Sequence, residues 1–314
     1  MSHAQTTTPV TESSPRESVR KPGKTRGMNA DRKKPRSTLL TVLVWICVAY
    51  FLLPLLWLVI SSTKDNSDLF TTFGYWFGDG FNLFANLRDL STYDGGIFWR
   101  WMLNTILYAG VSAVGAAFLA TAAGYAFAKY KFPGSTLLFY SVLGAIMIPT
   151  TALAIPTYLL FANAGLTDTP WAIILPSLVS PFGVFLMRVY AADAVDSSLI
   201  EAARIDGAGE LRIFFQVGLR LLGPGIVTVL LFALVATWNN YFLPLIMLNS
   251  SELYPLTVGL AQWQSASASG GGGSQALFSS VITGSLVSIL PLIVAFLYLQ
   301  RYWQSGLSTG GVKG

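Results

Sequence analysis

The sequence predicts an all-helical membrane protein with six membrane-spanning segments. Of its 314 residues, 53 % are hydrophobic and 11 % are charged, and the mean hydropathy is +0.56, a balance typical of integral membrane proteins. A helix needs about 20 apolar residues to cross a bilayer. Six stretches of suitable length lack Asp, Glu, Lys and Arg: 39–60, 102–127, 137–161, 171–187, 221–248 and 277–299. The sequence has no alternating ten-residue pattern, so a β-barrel is not predicted.

The positions of the basic residues predict that both termini are cytoplasmic. Lys and Arg are frequent before the first stretch and recur after the second, fourth and sixth stretches, whereas only Lys64, Arg88 and Arg100 lie in the alternate loops. Cytoplasmic loops are enriched in Lys and Arg, and the two sets of loops sort cleanly, as an even number of spans requires. The net charge of +5 therefore reflects membrane topology rather than binding to nucleic acid.

The chain divides into a long membrane domain and two short tails. Residues 1–36 are rich in Ser, Thr, Pro and basic residues, which predicts a disordered basic cytoplasmic tail, and the basic run 32–36 would lie against anionic membrane lipid. Residues 37–305 form the predicted six-helix domain, with a polar loop at about 193–220. Residues 306–314 form a second cytoplasmic tail.

Two features of the apolar stretches bear on packing. The second stretch carries small residues at roughly helical spacing, including Gly115, Ala120 and Gly124, which permit close approach of neighbouring helices. Prolines such as Pro149 and Pro176 lie within other stretches; because each removes a backbone donor, each tends to kink its helix.

The residue inventory excludes several kinds of activity. With His3 as the only histidine and Cys47 as the only cysteine, the chain is not predicted to carry a catalytic metal, a Cys–His nucleophile or a cofactor. It also lacks a G-x-x-x-x-G-K-[ST] phosphate loop, and its apolar stretches lack the ionisable groups typical of ion-coupled carriers. We therefore predict a non-enzymatic chain that either receives energy from another subunit or acts alone as a facilitator or channel.

The polar loop near residue 200 has a local interpretation. Ser198 and Glu201 fit a capping box, and Gly207 would end a short helix where a positive φ is needed. Beyond this, Ala202 and Ala203 would give the helix a slim surface suited to a groove on another protein.

The loop sequence EAARIDGA, residues 201–208, resembles the EAA loop of bacterial ABC-importer permeases. Further segments resemble the carbohydrate branch of that family, and most of all its smaller, maltose-type transmembrane subunit. These segments are 104–105, 131–134, 148–149, 156–158, 185–188, 238–239, 244–245, 257–260 and 306–314. The resemblance runs from about residue 39 to the end of the chain. One departure is Arg220, which stands where the family usually has proline.

The resemblance implies the type I ABC-importer fold and an inner-membrane location. It also implies partners: a second, homologous permease, two copies of a cytoplasmic ATPase and an extracytoplasmic sugar-binding protein. In the family the EAA loop forms a coupling helix that sits in a cleft on the ATPase. The matching residues here are Glu201, Ala202, Ala203, Arg204, Asp206 and Gly207. The C-terminal residues that would reach into the ATPase dimer are Gly310, Gly311, Val312, Lys313 and Gly314.

The resemblance implies a carbohydrate solute, and the absence of charge in the predicted spans fits a neutral solute. Trp238, Asn239, Asn240 and Tyr241 combine aromatic faces with hydrogen-bonding groups and form a candidate substrate path, although an amphipathic belt or interhelical hydrogen bonds would also account for them. Two alternatives stay open: an ABC permease for a polyol or another small polar solute, and a partner-independent facilitator or channel.

Overall fold

A computed structural model of the chain describes residues 38–269 and 274–310, with side chains for 38–269 and 277–302. The predicted N-terminal tail and residues 311–314 lie outside the described part. The described ranges consist of helices, turns and loops without any strand, which confirms the all-helical class.

The α-helices follow one another closely along the chain. Their bounds are α1 Thr38–Ser62, α2 Asp68–Thr71, α3 Leu83–Thr92, α4 Ile97–Lys129, α5 Ser135–Ile146, α6 Ala154–Asn163, α7 Trp171–Ser177, α8 Pro181–Ala194, α9 Ser197–Ile205, α10 Glu210–Ile213, α11 Leu219–Leu221, α12 Gly223–Trp238, α13 Phe242–Met247, α14 Leu256–Ala268 and α15 Ser274–Gly310. Short 3₁₀ turns occupy Tyr93–Gly96 and Ser251–Leu253, and a π-helical turn occupies Phe214–Gly218.

The chain divides after Tyr50 into two units. The described residues of the first unit, 38–50, are the first half of α1, and all of them are exposed. A helix that is apolar all round is typical of a membrane span. The second unit contains the rest of α1 and all later helices.

Four described segments are long and apolar enough to cross a membrane: Thr38–Ser62, Leu83–Lys129, Trp171–Ala194 and Leu277–Tyr302. A fifth is formed if Glu210–Leu221 and Gly223–Trp238, which meet at a 79° bend, count as one. The predicted stretch 137–161 is not one continuous helix but is divided into α5 and α6. The division surrounds Pro149, which cannot donate a helical hydrogen bond and which disfavours helical geometry at the preceding Ile148.

Helices α4, α8 and α12 pack closely through small residues, as the sequence predicts. Ala116, Ala117 and Ala120 of α4 are buried. At Gly124, an added Cβ would lie 2.7 Å from the backbone nitrogen of Arg188, and at Gly183 it would lie 2.8 Å from Val229 Cγ1. Glycine at these points lets the helix backbones approach more closely than any side chain would allow.

Two buried clusters support the two ends of this helix group. One cluster contains Trp101, Tyr108, Trp238 and Trp263. The other contains Tyr125, Met187, Ile200, Ile213 and Phe214, and it supports the segment around α9.

Candidate functional site

Helix α9, which carries the EAA sequence, begins two residues earlier than predicted. Its N-cap is Asp196, whose Oδ1 accepts a 2.9 Å hydrogen bond from the backbone N–H of Ser198. The predicted capping box of Ser198 and Glu201 is therefore wrong. The carboxylate of Asp196, in extended backbone just before the helix, already accepts from the Ser198 N–H, which the Glu201 side chain was expected to satisfy.

The end of α9 is the predicted one. Gly207 has a φ of +80°, which favours glycine. Its N–H donates to the Arg204 carbonyl at 3.0 Å, and the Ala208 N–H donates to the Ala203 carbonyl at 2.9 Å. Two such bonds around a left-handed glycine form a Schellman motif, so the helix ends in a rigid turn.

A single buried residue attaches α9 to the rest of the chain. Ile200 is buried in the cluster with Tyr125 and Phe214, and Ala203 is half-buried. The other predicted coupling residues are exposed: Glu201, Ala202, Arg204, Asp206 and Gly207. The side chain of Ile205, the last residue of α9, is 87 % exposed.

An ionic bridge fixes the turn after α9. Arg204 Nε lies 2.7 Å from Glu210 Oε1, and the Tyr130 hydroxyl donates to Glu210 Oε2 at 2.8 Å. Tyr130 directly follows α4, so Glu210 connects the turn to the end of a long apolar helix. Exposed ion pairs contribute little stability, so the bridge matters chiefly for the orientation of α9.

The segment after Glu210 returns to the helix group through a bend. Ile213 and Phe214 are buried, and the Phe214 ring lies 5.2 Å from the ring of Tyr125. The π-helical turn Phe214–Gly218 and the short helix Leu219–Leu221 follow. Arg220 stands at the family's proline position. It is exposed and its backbone is helical, so the chain forms a helical turn here without proline.

A second site is a cavity of about 790 Å³ at three helix breaks. The breaks are residues 147–153 between α5 and α6, 178–180 between α7 and α8, and 239–241 between α12 and α13. The volume is within the range of about 300–1,000 Å³ typical of small-molecule sites.

Three of the four candidate path residues line this cavity. Asn239, Asn240 and Tyr241 line it, whereas Trp238 is buried in the cluster that contains Tyr108 and is not among its lining residues. The cavity also contains residues that the sequence analysis did not single out, including Thr150 and Ser177. Their only sequence signal is their position next to Pro149 and Pro176, where a helix is prone to break.

Two amides in the cavity are partly engaged. Asn239 Nδ2 donates to the Val235 carbonyl at 2.9 Å, which leaves its Oδ1 available. Asn240 Oδ1 accepts from the Leu243 N–H at 3.3 Å, which leaves its Nδ2 available. Together the two side chains therefore retain both donor and acceptor capacity.

The predicted C-terminal contact lies largely outside the described residues. Gly310 ends α15, whereas Gly311, Val312, Lys313 and Gly314 are not among the described residues. Their role stays a prediction.

Comparison of the chain with known proteins identifies the class of protein to which it belongs. Residues 118–305 match the family described as binding-protein-dependent transport system inner membrane component. The chain belongs to this family, which confirms the resemblance seen at 201–208.

Individual relatives match over most of the chain. The arabinooligosaccharides transport system permease protein AraQ of Halalkalibacterium halodurans is 32 % identical over 90 % of this chain and 100 % of its own length. The maltodextrin transport system permease protein MdxG of Bacillus subtilis is 34 % identical over 71 % of this chain and 78 % of its own.

A solved structure has the same fold. A chain of the crystal structure of a bacterial ABC transporter involved in the import of the acidic polysaccharide alginate aligns with a TM-score of 0.74 and 24 % identity, over 84 % of this chain and 95 % of that chain. Apolar helices and family membership together make the protein a multi-pass component of the bacterial inner membrane.

Proposed function

We propose that this chain is the transmembrane permease subunit of an ATP-driven carbohydrate importer. Family membership supports the transport role. Relatives named for arabinooligosaccharides, for melibiose, raffinose and stachyose, and for maltodextrin support a carbohydrate solute. The chain would form half of the translocation path, with a second, homologous permease forming the other half.

The proposed topology has six spans and cytoplasmic termini. It counts α5 with α6, α7 with α8, and α12 with α13 as one broken span each. Discontinuous helices are a recurring feature of transporter folds, and the sorting of Lys and Arg between loops supports the orientation. On this topology residues 1–36 form the cytoplasmic tail, 37–305 the permease domain of the type I importer fold, and 306–314 the C-terminal tail.

Energy would enter through α9. The observation that carries this proposal is a short helix with a rigid Schellman end, attached through buried Ile200 and half-buried Ala203 and otherwise exposed. Such a helix can lie in a cleft on a soluble partner, with Glu201, Ala202 and Ala203 on its slim surface and Arg204, Asp206 and Gly207 at its end. Residues 310–314 would make a second contact with the same partner.

The proposed mechanism is alternating access. Two cytoplasmic ATPase subunits close on ATP and move the coupling helices of both permeases, so that the two permeases rock as rigid bodies. A sugar-binding protein delivers solute to the outer side. This chain hydrolyses nothing itself; it converts the motion of α9 into opening of the path.

The test is uptake by the reconstituted complex. Glu201→Ala removes an exposed charge from α9, and Gly207→Pro replaces a residue whose φ of +80° proline cannot adopt. We expect both variants to insert normally and to lose ATP-dependent sugar uptake. Full uptake by both variants, or sugar uptake without an ATPase partner, would contradict coupling through α9 and favour a facilitator.

A further inference from the structure

We propose that the cavity at the three helix breaks binds an uncharged, polyhydroxylated solute, and that this chain supplies hydrogen bonds to that solute directly. The inference rests on the proposed function and deepens it, because it assigns solute contacts to three separate spans. The contact residues are Thr150, Ser177, Thr237, Asn239, Asn240 and Tyr241.

The first argument comes from the hydroxyl groups. On other parts of the helices a hydroxyl commonly bonds to a carbonyl of its own helix, as Thr121 does to Ala117 at 2.6 Å and Ser141 does to Leu137 at 3.0 Å. This is how hydroxyls are usually satisfied in an apolar helix.

Several of the cavity hydroxyls differ from this pattern, whereas those of Thr157 and Ser180, which also line the cavity, are engaged by the Leu153 carbonyl and the Gly183 N–H. Among the described residues, Thr150, Ser177, Thr237 and Tyr241 have no hydrogen-bond partner for their hydroxyl groups. They lie in, or within two residues of, three different breaks, yet all four line one space. A polar group that is not satisfied within the protein needs water or a ligand, so these hydroxyls are available to a solute.

The second argument comes from the backbone. At residues 147–153, 178–180 and 239–241 the helical hydrogen-bond ladder is interrupted. Irregular backbone at membrane depth is tolerated where it lines a polar cavity, and transporters form binding sites at such interruptions. Three interruptions around one cavity therefore indicate a binding site better than any single proline kink does.

The third argument concerns charge. None of the residues that line the cavity is Asp, Glu, Lys, Arg or His, so no side chain there can neutralise an ionic solute. The aromatic ring of Tyr241 and the amides of Asn239 and Asn240 instead offer an apolar face, a donor and an acceptor. This combination suits a neutral sugar or polyol, in contrast to a phosphate ester or an acidic polysaccharide.

The experiment measures solute binding to the purified complex of this chain, its companion permease and the ATPase, without the binding protein. Tritiated arabinotriose, raffinose and maltotriose are tested separately by scintillation proximity, with glycerol 3-phosphate as an anionic competitor. Thr237→Val removes one unpaired hydroxyl at nearly constant volume, and Ser177→Ala removes another. For the sugar that binds, we expect each variant to raise the dissociation constant about three- to tenfold, the effect of one lost hydrogen bond.

The matched control is Thr228→Val in the same helix, α12. The Thr228 hydroxyl bonds to the Pro224 carbonyl at 2.9 Å, so its loss should leave sugar binding unchanged. Competition by glycerol 3-phosphate, an unchanged constant in both cavity variants, or an absence of saturable binding of all three sugars would overturn the proposal.

Two outcomes separate this inference from the proposed function. Loss of the companion permease during purification of Thr237→Val would overturn the inference, because it would mean that the cavity seats a companion helix. Sugar binding that weakens as expected, in a complex whose uptake does not need ATP, would support the cavity and contradict the proposed function.

Discussion

The Thr105 hydroxyl accepts a 2.8 Å hydrogen bond from the backbone N–H of Leu256. Leu256 is the first residue of α14, and the first N–H groups of a helix have no partner within that helix. The same hydroxyl donates to the Trp101 carbonyl at 2.8 Å. One side chain of α4 thus supports the start of a helix that is distant in sequence.

Three neighbours on the same face of α4 complete this attachment. Trp101 Nε1 donates to the Ser251 carbonyl at 2.7 Å, and the Tyr108 hydroxyl donates to the Leu253 carbonyl at 2.9 Å. Asn104 Nδ2 donates to the Glu252 and Tyr254 carbonyls at 2.7 and 3.0 Å. Positions 101, 104, 105 and 108 share one helix face, so the motif at 104–105 has a structural role.

Asn104→Ala should therefore destabilise the protein without changing the solute cavity. Two carbonyls lose a buried donor, and we expect the free energy of unfolding to fall by about 1–3 kcal/mol. Thermal unfolding of the purified protein measures the change. Asn163→Ala, at an exposed amide on α6, is the matched control; equal melting temperatures for the two variants would argue against the attachment.

Close helix packing gives a second prediction, tested by two alanine substitutions in α4. At Gly124 the new Cβ would meet the backbone of α8 at 2.7 Å, whereas at Gly110 it would meet nothing within 4 Å. Gly124→Ala should lower stability by about 1–3 kcal/mol through overpacking. Gly110→Ala should leave stability unchanged or slightly raised, because alanine favours the helix. A similar loss in both variants would show that packing is not the cause.

Features that depend on nearby residues were predictable from the sequence. The stretch 102–127 lies within α4, its small residues meet α8 and α12, and Gly207 ends α9 with a positive φ. Apolar length, small-residue spacing and glycine at a helix end each act locally, so the sequence alone carries them.

Features that depend on contacts between residues far apart in the sequence could not be predicted from it in the same way. Glu210 meets Tyr130 across 80 positions, which no spacing rule indicates. Trp238 was grouped with Asn239, but α12 turns its indole into the core while the break that follows exposes the amide to the cavity. Asp196 rather than Ser198 caps α9 because the extended backbone at Asp196 lets its carboxylate reach the first turn.

The ionic bridge at Glu210 predicts a defect in coupling. In Glu210→Ala, Arg204 and Tyr130 lose their shared partner, and α9 keeps its packing through Ile200 but loses its polar link to the end of α4. If α9 couples to an ATPase as proposed, we expect fewer sugar molecules imported per ATP hydrolysed, with normal membrane insertion. Transport and hydrolysis measured together in proteoliposomes give this ratio.

A double-substitution cycle sharpens the test of the bridge. Arg204→Ala with Glu210→Ala should be less harmful than the two single effects combined, because both remove the same contact. Arg212→Ala is the control, since the Arg212 side chain donates to Gln216 instead. Additive effects, or a coupling ratio as low in Arg212→Ala, would count against an orienting role for Glu210.

Asp168 predicts how stability depends on pH. Its carboxylate accepts hydrogen bonds from the Ser250 hydroxyl at 2.6 Å and from the backbone N–H groups of Ser250 and Asn249 at 2.9 and 2.8 Å. These bonds, that of the Ser250 hydroxyl first, hold the pKa of Asp168 below its usual value. The ionised form joins the loop before α7 to the loop after α13.

A carboxyl group whose folded-state pKa is lowered stabilises the protein above its unfolded pKa, and that contribution is lost as pH falls through the folded pKa. We therefore expect thermal stability to fall as pH is lowered below the ordinary pKa of an aspartate and through the lowered folded-state pKa of Asp168. Asp168→Asn is the informative variant because asparagine also tolerates the positive φ of 56° at this position. It should be less stable than the natural chain at pH 7 and should lose less stability on acidification. Melting curves across this pH range measure both effects, and parallel curves for the two proteins would show that Asp168 does not contribute to the acid sensitivity.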